Sequence, residues 1–170
     1  MAAGTQTKCP QCGALVLDIE GPVHKYVPAA AGCWKTFGEV QADELARFGY
    51  SPAHRLVVDA YMAQHPGDGC DRHDRQSVYA HLCGLYARLE LDMPAARATE
   101  ILRRVVSGRD DFPGLRRDGG PGRLTVLHMI GARDVDAYER RAREWGEAVW
   151  RSWARHHHEI EMVVSGLTGV

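Results

Sequence analysis

The sequence predicts a mainly α fold: a helical bundle of about five helices, preceded by a small N-terminal segment that forms a zinc knuckle or a β-hairpin. Apolar residues recur every three or four positions along most of the chain, which is the spacing of one helix face. The chain has 170 residues, of which 45% are hydrophobic, enough for a single core. The N-terminal segment differs because it holds three of the five cysteines.

Three regions follow from this pattern. We expect a disordered tail over residues 1–8, which are small and polar, a zinc-binding knuckle over residues 9–33, and the helical bundle over residues 34–165. Within the knuckle, residues 14–19 are β-prone and residues 23–27 alternate apolar and polar side chains. We expect these two stretches to pair as a hairpin.

The helices are delimited by caps and breakers. Ser51-Pro52 is typical of a helix start, Pro66 stops that helix, and Gly108 suits a helix end. Five glycines and two prolines within residues 108–123 predict a long loop, and a short apolar helix follows at Leu124. The main helices are expected over residues 33–48, 51–65, 74–91, 94–107 and 134–163.

Composition limits the classes of function. The formal net charge is −1, so there is no general attraction to nucleic acid or to an anionic membrane. No stretch is long and apolar enough for a membrane span, and the first residues do not resemble a secretory signal. We therefore expect a cytoplasmic protein, in which an odd number of cysteines indicates metal ligands, buried thiols or reactive groups rather than disulfides.

The run Cys9-Pro10-Gln11-Cys12-Gly13 is the strongest chemical signal in the chain. Two thiolates separated by two residues can bind one metal ion from a tight turn, and the glycine lets that turn close. Cys33 supplies a third thiol. A zinc ribbon would place another cysteine three residues later, but Thr36 is there. The motif therefore predicts a zinc site whose fourth ligand comes from elsewhere.

The fourth ligand remains open between several residues. His24 is the nearest candidate, which gives a predicted metal site of Cys9, Cys12, His24 and Cys33. Cys70, Cys83 or a histidine from a helix is the alternative. Cys33 also lies near the expected start of a helix, so a nucleophilic thiol with His24 as its base is a second, less favoured interpretation.

A second group of candidates comes from the second and third helices: His54, Asp59, His65 and His81. His54 and His65 share a helix face but are about 16 Å apart along its axis, too far to bind one ion. His65 can instead meet His81 on the neighbouring antiparallel helix. The competing interpretation is that each histidine caps a helix or bonds a carbonyl, while Asp59 orients a histidine.

Several of these motifs together resemble an uncharacterised bacterial family, common in actinobacteria, that is described only as a domain of unknown function. The matching pieces cover most of the chain, and the string from Asp59 to Pro66 is specific. The resemblance implies a shared architecture and a shared site but no activity. It draws attention to Cys9, Cys12, His24, Cys33, His54, Asp59, Gln64, His65 and His81.

Two hypotheses of function follow, and the sequence does not choose a reaction. The first is a zinc-stabilised binding or regulatory module whose helical groove recognises a protein or a small ligand. The second is a metal-dependent hydrolase or transferase that uses the His/Asp candidates of the second and third helices. Coordination distinguishes them, because four protein ligands favour a structural metal and three ligands plus water favour catalysis. A nucleic-acid adaptor is disfavoured, since few lysines lie near the knuckle.

Overall fold

The structure is a computed structural model that describes residues 4–169. It confirms a mainly α fold with a small N-terminal hairpin. The strands are β1 (Gln6–Lys8) and β2 (Leu15–Leu17), and the helices are α1 (Ala31–Phe48), α2 (His54–Gln64), α3 (Arg72–Leu89), α4 (Ala95–Ser107), α5 (Val135–Arg151) and α6 (His157–Thr168). None of the helices within this range has the length and hydrophobicity needed to cross a membrane.

The hairpin pairs a different strand from the one predicted. β1 pairs antiparallel with β2, whereas residues 23–27 form no strand. The cysteine turn itself closes the hairpin: the N–H of Gly13 donates to the Cys9 carbonyl at 2.9 Å, and Gly13 has a φ of 75°, a conformation that favours glycine. Part of the predicted tail, residues 6–8, is therefore a strand, and residues 1–3 lie outside the described residues.

The predicted final helix is two helices. α5 ends at Arg151, a 3₁₀ turn (Ala154–His156) follows, and α6 begins at His157. The break lets the chain bury Trp153 completely, and it stacks the ring of His157 on Trp150 with centroids 3.8 Å apart. The short apolar helix predicted at Leu124 is a 3₁₀ helix (Val126–Met129).

α2 and α3 form the centre of the bundle. α2 packs against α3 and α5, and α3 also contacts α4 and α6. Large aromatic side chains fill this core, and five of them are almost completely buried: Tyr61, Tyr79, Tyr138, Trp145 and Trp153. The hairpin packs beside α1, so the cysteine turn meets the bundle where α2 ends.

The loop over residues 108–123 is fixed to the bundle by buried polar contacts. The Gln64 side chain donates to the carbonyls of Pro121 and Leu124 at 2.7 and 2.8 Å, and its oxygen accepts from the Trp145 indole N–H at 3.1 Å. Gln64 is 1% exposed, so each of these bonds satisfies a group that water does not reach. The loop is thereby held next to the cysteine turn.

A glycine at the start of α1 allows the hairpin to approach that helix. A Cβ atom on Gly32 would lie 2.1 Å from the carbonyl oxygen of Leu17, a distance that two unbonded atoms cannot adopt. Only glycine permits β2 to lie this close to the first turn of α1. The next residue in the helix is Cys33, so this contact also sets the position of the third thiol.

We expect Gly32→Ala to lower the free energy of unfolding by about 1–3 kcal/mol, because the added methyl group forces β2 away from α1. Gly38→Ala is the matched control in the same helix, since nothing lies within 4 Å of a Cβ built there. Alanine there should be neutral or stabilise by up to about 1 kcal/mol. Urea denaturation measures both, and equal effects of the two substitutions would contradict the close approach.

Candidate metal centre

Three cysteines and one histidine meet at a single buried point. The ligand atoms of Cys9, Cys12, Cys33 and His65 all lie within 4.8 Å of one another. None of the four residues is more than 2% exposed. Thiolate and imidazole groups in this number are a known metal-binding set, so the cluster can hold one metal ion.

The four donors come from three elements. Cys9 and Cys12 lie in the hairpin turn, Cys33 lies in the first turn of α1, and His65 directly follows the last residue of α2. The backbone of the turn helps to orient Cys12, because the Ala14 N–H donates to Cys12 Sγ at 3.4 Å. The cluster therefore joins the hairpin, α1 and α2.

His65 is oriented by its own helix. Its Nδ1 lies 2.7 Å from the Tyr61 carbonyl oxygen, and a carbonyl only accepts, so Nδ1 carries the proton and donates. Nε2 then has its lone pair free, and it faces Cys33 Sγ at 3.5 Å and Cys9 Sγ at 3.6 Å. A histidine held by its other nitrogen in this way is prepared to bind a metal.

Tyr61 makes a second contact with the cluster through its hydroxyl group, which donates to Cys33 Sγ at 3.5 Å. Burial, together with the nearby Cys33, raises the pKa of Tyr61 far above its ordinary value. The phenol therefore stays protonated and remains a donor to the sulfur. Its ring stacks on Phe37 at a centroid distance of 3.9 Å, which fixes the position of the hydroxyl.

The three thiols also shift the pKa values of one another. Hydrogen bonds from the Cys12 and Cys33 thiols lower the pKa of Cys9 far below its ordinary value. The pKa of Cys33 is raised, because its proton is shared with Cys12 and Cys9 and because it is buried. Without a metal, the negative charge of the cluster is thus shared among the coupled thiols of Cys9, Cys12 and Cys33.

A single guanidinium group lies beside this negative charge. Arg117 is half-buried, and it donates to the carbonyls of Gln11 at 2.9 Å and Gln64 at 3.2 Å. Burial lowers the pKa of Arg117, while the charge of Cys12 raises it. Three thiolates on a divalent ion would leave one net negative charge, which this arginine would partly offset.

The structure places His24 outside the cluster, which corrects the expected ligand set. His24 is exposed, its Nδ1 accepts from the Tyr26 N–H at 3.2 Å, and its ring contacts Trp34. The residues around it form no strand that returns to the cysteine turn. His65 takes the fourth position, and neither Cys70 nor Cys83 belongs to the group.

The other sequence candidates lie in two separate networks. His54 Nδ1 lies 2.9 Å from the buried carboxylate of Glu44, which also accepts from Ser51 and Tyr138. This network ties α1 to α2 and α5, and it contains neither Asp59 nor His81. His54 is therefore explained by packing of the helices.

The expected meeting of His65 with His81 does not occur, because His65 lies among the three cysteines. His81 pairs with Asp59 instead, which agrees with the competing interpretation that Asp59 orients a histidine. Asp59 is completely buried, and its Oδ1 lies 2.7 Å from Nδ1 of His81. Both of its oxygens also accept from Arg55 Nε at 3.0 Å. A Cβ on Gly84 would lie 2.4 Å from Asp59, so the glycine makes room for this carboxylate.

Sequence reasoning missed two residues that serve the cluster, Tyr61 and Arg117, whereas the resemblance had drawn attention to Gln64, which supports the loop. Tyr61 is four residues before His65, and this spacing would have placed its carbonyl below the imidazole ring. No sequence spacing relates Arg117 to the cluster, because Arg117 lies in a long loop whose path depends on the fold.

We expect His65→Ala to abolish stoichiometric metal binding, because it removes one of four donors. His24→Ala should bind one metal ion per chain, as the unaltered protein is expected to do. Elemental analysis of both purified variants, with circular dichroism to verify folding, measures the difference. A His24 variant that loses its metal while His65→Ala retains it would contradict the assignment.

Tyr61→Phe should leave the metal stoichiometry unchanged and weaken metal affinity about tenfold, because it removes only the hydroxyl donor to Cys33. Competition with a chromophoric chelator measures the affinity. Phe112, which lies against Tyr79 away from the cluster, provides the control Phe112→Leu. An unchanged affinity in Tyr61→Phe would show that the O–H···S contact has no role in metal binding.

Comparison with known proteins adds a family but no activity. A family described as a family of unknown function, DUF5946, matches residues 7–154, a range that contains all four members of the Cys3His cluster. No curated protein and no solved structure matches the chain. Since the match covers most of the chain, this protein belongs to the DUF5946 family of unknown function.

Proposed function

We propose that the chain is a zinc-stabilised binding module, in which the Cys3His cluster holds a structural zinc ion and the helical bundle carries a ligand-binding cleft. The observation that carries the zinc assignment is the spacing of four buried protein donors.

The spacing of the donors fits a tetrahedral zinc ion. With Zn–S near ~2.3 Å and Zn–N near ~2.0 Å, tetrahedral geometry separates two sulfurs by about 3.8 Å and a sulfur from a nitrogen by about 3.5 Å. The observed separations are 3.7 Å between Cys12 Sγ and Cys33 Sγ, and 3.5 and 3.6 Å between His65 Nε2 and the sulfurs of Cys33 and Cys9.

The closed environment favours a structural ion over a catalytic one. Catalytic zinc sites use three protein ligands and keep a position for water or substrate, whereas structural sites use four. Here four protein donors are available, and all four residues are buried. The Tyr61 hydroxyl donates to Cys33 Sγ, and Arg117 donates to the carbonyls of Gln11 and Gln64 beside the donors, which supports a closed site.

The ion would compensate for the weakness of the N-terminal segment. The two strands contain three residues each, and an isolated hairpin of this size is not stable in water. A structural zinc ion contributes on the order of 10 kcal/mol to folding. Bound to Cys9, Cys12, Cys33 and His65, it would fix the hairpin to α1 and α2.

The alternative of a metal-dependent hydrolase or transferase receives less support. It requires His54, Asp59, His65 or His81 to contribute to an open metal site. His65 faces three sulfurs, His54 pairs with Glu44, and Asp59 pairs with Arg55 and His81. Among the described residues, the Cys3His cluster is the one group of donors arranged for a metal.

The binding part of the proposal rests on a cleft beside α2. A cavity of about 720 Å³ lies between α2, α3, α4 and residues 24–27. Small-molecule sites have volumes of about 300–1,000 Å³ and combine apolar walls with a few polar groups. The cleft meets both conditions, since its walls are mainly apolar and Arg55 and His81 reach its surface.

Protein purified without added metal should contain one zinc ion per chain, and chelation should lower its melting temperature sharply, because the cluster loses its central ion. Inductively coupled plasma mass spectrometry and thermal denaturation measure the two effects. Cys9→Ser should lose zinc, whereas Cys70→Ser should retain it, because Cys70 is exposed and outside the cluster.

Two results would contradict the zinc proposal. One is metal-free protein that melts at the same temperature with and without chelator. The other is full zinc occupancy in Cys9→Ser together with loss of zinc in Cys70→Ser. The first result would mean that the cysteines are buried apolar side chains and not metal ligands. The second would mean that zinc binds in another part of the chain.

A further inference from the structure

In the cleft beside α2, Asp59 holds, or braces, the side chains of Arg55 and His81. The zinc site uses neither of them. Asp59 is completely buried beneath them and accepts from both Arg55 and His81. Burying a carboxylate is costly unless it is fully hydrogen-bonded. Asp59 meets this condition, and in doing so it holds the guanidinium and the imidazole in fixed positions.

Each of the two braced side chains keeps one nitrogen available. Arg55 uses Nε and Nη2 in its contacts with Asp59 and His81, and His81 uses Nδ1. Within residues 4–169, Arg55 Nη1 and His81 Nε2 have no hydrogen-bond partner. The two side chains are 20% and 17% exposed, and both line the cleft. Both available nitrogens thus belong to neighbouring side chains in the wall of the cavity.

The remaining walls of the cleft are mainly apolar, with a few neutral polar and basic side chains between the apolar ones. Met62, Ala80, Leu102 and Val106 supply apolar surface from α2, α3 and α4. No aspartate or glutamate lines the cavity, whereas Arg103 lies at its rim with its side chain 76% exposed. A ligand in this cleft therefore meets the adjacent nitrogens of Arg55 and His81, a largely apolar wall and no carboxylate in the lining.

We propose that the cleft binds a small organic carboxylate with an apolar body. The carboxylate accepts from Arg55 Nη1 and from His81 Nε2, and the body lies against Met62, Leu102 and Val106. In the complex His81 is the imidazolium, with a proton on each ring nitrogen, so that it donates from Nδ1 to Asp59 and from Nε2 to the carboxylate of the ligand. This inference rests on the proposed binding function, for which it names the class of ligand.

The bracing by Asp59 explains why an anion is favoured over a neutral ligand. Guanidinium and imidazole groups that are already oriented lose little conformational freedom on binding, so a charge-assisted bond to them keeps most of its strength. A neutral alcohol offers the same apolar body without that bond. Selectivity for the carboxylate over the alcohol is therefore the property that the geometry predicts.

Isothermal titration calorimetry of the zinc-loaded protein tests the proposal with octanoate and 3-phenylpropionate as probes. The matched neutral ligands are 1-octanol and 3-phenylpropanol. We expect saturable binding of at least one carboxylate, at least about tenfold tighter than its alcohol, which is the size of effect expected for one charge-assisted hydrogen bond. Equal binding of the alcohols, or no binding of either carboxylate, would overturn the proposal.

Two variants locate the binding in the cleft. His81→Gln should weaken carboxylate binding about tenfold or more, because it replaces a charged donor on a rigid ring by a neutral, flexible amide. The control His158→Gln should bind normally, since His158 is 85% exposed and does not line the cleft. Val106→Trp should abolish binding by filling the apolar wall, which keeps the test decisive if His81→Gln folds poorly. Unchanged affinity in Val106→Trp would overturn the location.

The same samples separate this inference from the zinc proposal. Zinc content and melting temperature are measured on each sample before titration. Selective carboxylate binding by folded protein that contains no zinc would support the cleft and remove the zinc assignment. Full zinc occupancy without carboxylate selectivity would leave the metal centre in place and overturn the inference about the ligand.

Discussion

The convergence of three sulfurs and one imidazole nitrogen on one buried point is the constraint on which the rest of the structure depends. The donors come from a hairpin turn, the start of α1 and the end of α2. Gly13 permits the turn, and Gly32 permits the hairpin to approach α1. Both glycines are thus explained by the need to bring Cys9, Cys12 and Cys33 to His65.

The end of α2 connects the metal centre to the cleft. Asp59 braces the polar groups of the cleft, Tyr61 contacts Cys33 and orients His65, and Gln64 fixes the long loop. Asp59 and His65 are six residues apart, about 9 Å along a helix. A metal ion that holds the end of α2 therefore also holds the helix that presents Arg55 and Asp59.

The local motifs could be predicted from the sequence, whereas the pairings over long distances could not. The run from Cys9 to Gly13 identifies a metal-binding turn, because its chemistry depends on neighbours in the chain. The choice of His65 over His24 depends on where α2 ends relative to the hairpin, which is a property of the fold. The break after Arg151 is similar, since burial of Trp153 overrides a continuous helical pattern.

X-ray absorption spectroscopy of the purified protein at the zinc edge measures directly which elements surround the metal ion and at what distances. For zinc bound to three cysteines and one histidine, we expect three sulfur neighbours at ~2.3 Å and one imidazole nitrogen neighbour at ~2.0 Å. A first shell with an oxygen neighbour and only two sulfurs, or one with four sulfurs, would contradict a closed site formed by Cys9, Cys12, Cys33 and His65.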